Sequence, residues 1–211
     1  MWKGDAMVGT RLTRRTVLAA GAFGVAAPSW ASLPPALARH PGFAAWSAPQ
    51  TWPLPLTAAI DLGASEETLA AWLDGRPAVL SLWATWCGPC LAEKAAQAAL
   101  ARRLASAGAR TRFLALQAYD DVSLADGRKL LKRLNAGDLE NARASDAAEA
   151  AFIIVFGASP VDPKRTSLPS LLLIGADGSE LARDVGMMRA PDGRTDYWAA
   201  DSTFDFLSRL S

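Results

Sequence analysis

An α/β fold, with a central mixed β-sheet flanked by helices, follows from three stretches of this 211-residue chain. The run Ala78–Trp83 is almost wholly apolar, the pattern of a strand covered on both faces. It passes through a short turn into the Ala/Leu-rich, helix-favouring run Leu91–Leu100, and Arg112–Leu116 then reads as a second strand. Strand, helix and strand at this spacing make a parallel crossover. Leu168–Ile174 and Glu180–Val185 flank the hairpin turn Ala176-Asp177-Gly178-Ser179, which adds an antiparallel pair. At 51% apolar composition the chain can bury a substantial single core.

Taken from the N-terminus, Thr13-Arg14-Arg15-Thr16-Val17-Leu18 precedes the Gly/Ala-rich, moderately apolar stretch Ala19–Ala27. Ser29-Trp30-Ala31 then offers small side chains at the two positions a signal peptidase reads. Residues 1–31 are read as a signal peptide whose paired arginines resemble a bacterial twin-arginine export signal. An ordinary Sec signal or a short anchor is the alternative, and Ala36-Leu37-Ala38 is a competing cleavage site. Export implies the periplasm, where disulfides persist.

Residues 32–60 form a Pro-rich, extended lead-in with tryptophans around Trp46–Trp52, and 61–211 form the main domain. Ser65 is expected to cap a short helix through Leu73, with Glu66 and Glu67 in its first turn. Leu124–Leu134 reads as another helix, with Leu130, Leu131 and Leu134 on one face. Ala144–Phe156 is ambiguous: its Asp/Ala/Glu start favours helix, its β-branched end favours strand, and helix is preferred. Gly157–Ser167 is a polar loop, and Ser202-Thr203-Phe204-Asp205 resembles a capping box for a terminal helix through Leu210.

Without residues 1–31 the chain keeps 18 basic and 20 acidic residues, with no basic stripe to suggest nucleic acid. No run of about 18 apolar residues suggests a membrane span, so no stable insertion is expected after signal cleavage. Two cysteines are too few for a disulfide framework or a zinc site, and the single histidine, His40, lies far from them in sequence. No metal or other cofactor is expected. Met187-Met188 could suggest copper, but adjacent strand residues face opposite sides, so packing is the preferred reading.

The chemistry is expected at Trp86-Cys87-Gly88-Pro89-Cys90, where strand becomes helix. The helix N-terminus, with its unpaired N–H groups and positive dipole end, should hold an exposed Cys87 thiol below the roughly 8.5 of a free cysteine. Cys90, one turn in, should be more buried and less acidic. Cys87 is therefore the attacking sulfur and Cys90 the resolving one. A structural disulfide is the alternative, though so short a loop stabilises little. Pro89 fixes φ in the first helical turn, Trp86 is an apolar contact surface beside Cys87, and Trp83 points into the core.

The pentapeptide at a strand-to-helix turn, with Pro169 heading a later strand that enters an Asp-Gly hairpin, resembles the thioredoxin fold. Together with the export signal, Leu82–Glu93 is similar to the TlpA/ResA-type periplasmic thiol-disulfide oxidoreductases, which include the cytochrome c maturation thioredoxins. The likeness is strong over 78–118 and 168–187 and weak over 119–167. Three departures stand out. Ser81 occupies the place of thioredoxin's buried Asp, Ala95 replaces a helix proline, and the central segment is longer and richer in Ala.

The resemblance implies a cis Pro169 beside the sulfurs, leaving the Leu168 backbone to pair with a substrate chain. With Ser81 in place of Asp, Glu93 is the candidate base for Cys90, one turn further along the helix. The implied partners are protein thiols and disulfides, plus a membrane-embedded electron donor that recharges the dithiol. The implied activity is protein-disulfide reduction. Gly157–Arg165, because it precedes Pro169, and the lead-in, because its aromatics around Trp46–Trp52 are expected to be exposed, are the expected selectors of the partner. The alternatives on this fold are a Sco-type copper metallochaperone and a thiol peroxidase. The first expects a wider Cys spacing with a distant His, and the second a Thr where this chain has Ala84.

Overall fold

The computed structural model describes residues 33–49, 54–156, 168–189 and 196–210. In chain order these form α1 (Pro35–Ala38), β1 (Ala59–Asp61), β2 (Glu66–Thr68), α2 (Leu69–Leu73), β3 (Ala78–Trp83) and α3 (Gly88–Ser106). There follow β4 (Arg112–Gln117), α4 (Leu124–Arg133), β5 (Glu140–Ala144), α5 (Asp146–Val155), β6 (Ser170–Ile174), β7 (Glu180–Val185) and α6 (Asp201–Ser208). The strands make one mixed sheet in the order β2-β1-β5-β4-β3-β6-β7. β3 pairs parallel with β4 and antiparallel with β6, and all six of its residues are buried.

Alternation along β3 sorts its side chains to two cores. Val79 and Trp83 join the cluster under α3 and α6, whereas Ala78, Leu80 and Leu82 join the opposite one with Trp72, Phe152 and Ile174. Ser81 shares the α3 side, so a polar hydroxyl is delivered under the Cys-bearing helix. The thioredoxin-like α/β architecture and the hairpin thus stand as expected, and Ala144–Phe156 resolves as helix α5 preceded by strand residues.

The sheet extends further than the sequence suggested. Glu66–Thr68, expected as the first turn of a helix, instead pairs antiparallel with β1. The helix starts three residues later, because the Thr68 hydroxyl is an equally good cap and accepts the Ala71 N–H. Strand β5 lacks an apolar strand pattern, and it is polar because its side chains have tertiary partners. Trp83 donates to Asn141 Oδ1, Asn141 Nδ2 donates to Gln117 Oε1, and Arg143 donates to the Asp120 and Val122 carbonyls. The Ser202 capping box is also replaced. Helix α6 has Ala200 at its N-cap, and the Thr203 hydroxyl donates to the Tyr197 carbonyl.

The lead-in packs on the core through Leu33, Leu37 and Trp46. Trp46 is buried rather than exposed: its indole donates to the Tyr197 hydroxyl at 2.7 Å, which donates to the Gly42 carbonyl at 2.6 Å. Gly42 is required there, since a Cβ would meet Ser202 O at 2.4 Å. The expectations for the signal peptide around Arg14 and Arg15, for Trp52 and for the 157–165 loop lie outside the described residues. Among the described residues no helix is long and apolar enough to cross a membrane.

Candidate functional site

The chain leaves β3 through Ala84 and Thr85 into the Cys turn. The Cys87 N–H donates to the Ala84 carbonyl, and the Thr85 N–H donates to Asp120 Oδ2 at 2.6 Å, which ties the turn to the loop after β4. Trp86 is 63% exposed and is oriented by its indole N–H, which donates to the Tyr119 carbonyl. Cys87 is the N-cap of α3, with Pro89 in the first turn, and its sulfur accepts the Cys90 N–H at 3.2 Å. The two sulfurs are joined in a disulfide, with Cα atoms 5.3 Å apart. The exposed Cys87 expected from its place at the helix end is not found: Cys87 is 4% exposed and Cys90 1%, both packed in the α3-side core.

Leu168-Pro169 is a cis peptide, as the resemblance implied. Pro169 is buried and leads into β6, while Leu168 is partly buried against both cores. The Pro169 carbonyl accepts the Gly186 N–H, and two residues on the Met188 N–H donates to Glu93 Oε1, each at 2.8 Å. The segment 186–188 therefore ties the cis proline to α3. Met187 and Met188 lie beyond β7 rather than within a strand, and it is Met188's backbone that serves the site.

Glu93 is buried. Burial pushes its carboxyl up, and the Met188 N–H works in the opposite direction. The Trp198 Nε1 and Glu93 Oε2 fall outside hydrogen-bond geometry and have no partner among the described residues. Beside Glu93 is a group that the sequence did not single out, Lys94, which is fully buried. Its amine donates to Ser81 Oγ at 2.6 Å and Gln97 Oε1 at 3.1 Å and lies 5.7 Å from the Trp83 ring centroid. The departure at Ser81 was the available signal, since a hydroxyl in place of a buried acid requires a donor or acceptor beside it. His40 is remote from this cluster, at Asp205 of α6. Among the described residues no His/Cys/Asp/Glu cluster could hold a metal ion.

A family model described as Redoxin matches residues 48–197. No curated protein matches the chain. Among solved structures, a thiol:disulfide interchange protein from Bacteroides sp. aligns with a TM-score of 0.55 at 13% identity, covering 74% of this chain and 91% of that one. A protein described as the thiol:disulfide interchange protein DsbE, from Chlorobium tepidum, aligns with a TM-score of 0.54 at 18% identity, covering 76% of this chain and 99% of that one. At these identities the likeness is one of fold.

Proposed function

The chain belongs to the Redoxin family, and we propose that within it the protein works as an exported reductant of partner-protein disulfides. Its coarse chemistry is that of a thiol-disulfide oxidoreductase of the thioredoxin type, acting on protein thiols and disulfides. The observation that carries the finer reading is the Cys87–Cys90 disulfide at the mouth of α3, with Cys87 as N-cap. In the reduced protein, the helix end and the Cys90 N–H favour the Cys87 thiolate. That thiolate attacks a partner disulfide and forms a mixed disulfide. Cys90 then attacks Cys87 Sγ, closes the internal bond and expels the partner thiolate.

The exposed Trp86 and the Leu168-Pro169 segment are the surface on which the partner chain docks. Glu93, buried one turn beyond Cys90 on α3, acts through its charge on the environment of the resolving sulfur. Gly88-Pro89 between the cysteines favours the reducing direction, by likeness to reducing thioredoxins. A twin-arginine signal in 1–31 would deliver the protein to the periplasm, and a membrane-embedded dithiol donor would recharge it there.

Cys90→Ser tests this directly. The variant should reduce no insulin disulfide catalytically and should accumulate a mixed disulfide on Cys87, whose trapped partner names the substrate. Wild-type protein that leaves insulin disulfides intact, or a trap that forms equally in Cys87→Ser, would sink the reading.

A further inference from the structure

Lys94 is the only lysine in the core among the described residues. Its two hydrogen bonds, to Ser81 Oγ and Gln97 Oε1, are what a neutral amine has to give; an ammonium has a third proton to place. Both acceptors are uncharged. The carboxylate whose charge it feels is Glu93, and Glu93 Oε1 is already taken up by the Met188 N–H. A buried ammonium without a hydrogen-bonded counter-charge is costly, and burial pulls the Lys94 amine down to about 7.

Position supplies the rest. Lys94 follows Cys90 by four residues, so the two share a face of α3 with Cβ atoms about 5–6 Å apart. The amine is held on Ser81 Oγ of β3, the strand that leads into the Cys turn, and on Gln97 Oε1 of α3. We propose that Lys94 is a transient proton store for the buried sulfur: it takes the proton of Cys90 during resolution, gives it up to solvent in the oxidised protein, where its hydrogen bonds are those of a neutral amine, and regains one to donate on re-reduction. This deepens, and rests on, the reading of Cys87–Cys90 as a working dithiol.

The step balances. In the mixed disulfide the Cys90 S–H proton passes to the neutral Nζ. The thiolate electron pair forms the Cys87–Cys90 bond, the Cys87–partner bond breaks, and the partner thiolate takes a proton from water. Two electrons have then moved from the dithiol to the partner. In recharging, the thiolate of a donor dithiol protein attacks Cys87. Cys90 leaves with the electron pair of the broken bond and takes a proton from Lys94, which has regained one from solvent.

The groups around the amine are consistent with this. Glu93, from the same helix, raises the proton affinity of Lys94, while Ser81 and Trp83 of β3 and Gln97 of α3 are uncharged. From β7, Asp184 acts on Glu93, pushing it up, and burial keeps the Tyr197 hydroxyl protonated.

Two measurements test the proposal. In wild-type protein, the Lys94 Cε resonance should titrate near 7 in the oxidised form and move when the disulfide is reduced. Titration above 10 in both states would overturn it, without needing any variant. In single-turnover resolution of the mixed disulfide, the wild-type rate should inflect near pH 7. Lys94→Met should lose that inflection and run at least about 10²-fold slower at pH 7. An unchanged pH profile in Lys94→Met would overturn the store while leaving the dithiol reading intact, whereas wild-type protein inert toward insulin would fail the dithiol reading itself.

Discussion

Lys94→Met should change how the stability of the oxidised protein responds to pH. Unfolded, the lysine holds its proton up to 10.5; folded, only up to about 7. Between those values the unfolded state binds more protons, so stability rises with pH across the window and is lowest below it. One pH unit inside the window corresponds to about 1.4 kcal/mol. Because the lysine is already half neutral at the lower end, the wild type should gain about 2 kcal/mol between pH 7 and 9. Urea unfolding of oxidised wild-type and Lys94→Met protein at pH 7, 8 and 9 measures this. The slope is the diagnostic quantity, because the variant also leaves Ser81 and Gln97 without their donor, an offset of about 1–3 kcal/mol per group. Parallel stability curves for the two proteins would show that Lys94 keeps its charge in the fold, and the argument from burial would be wrong.

Glu93→Gln should act with the opposite sign. Burial raises this carboxyl, so its contribution to stability falls as pH rises from 4.5 toward the folded value, and the variant should remove that loss in acid-to-neutral urea titrations. It should also lower the Lys94 titration further, because the Glu93 charge holds the ammonium, and NMR of the lysine would show an unchanged value if the two do not interact. Trp86→Ala removes a 63% exposed ring, so stability should move by less than about 1 kcal/mol while the KM for a protein disulfide rises. Trp46→Phe deletes the indole donor to the Tyr197 hydroxyl and should cost about 1–2 kcal/mol by urea unfolding, with insulin reduction intact; loss of activity alone would place the lead-in in the site instead.

What the sequence determined by itself is local. Apolar continuity marks β3, an Asp-Gly turn marks the β6–β7 hairpin, and Trp86–Cys90 marks the redox turn, because each is specified by neighbours in the chain. Tertiary structure decided the features whose partners are distant. Glu140–Ala144 looks like loop until Asn141 meets Trp83 and Gln117, and Glu66–Thr68 becomes strand only because β1 offers it an edge. Cys87 has the exposed address of a helix N-cap, yet packing in the α3-side core buries it. The two halves meet at Lys94. Four residues after Cys90 on an Ala-rich helix, it has no neighbour in the chain that marks it out. Only the face that α3 turns to Ser81 removes it from water, and desolvation of that amine changes its chemistry.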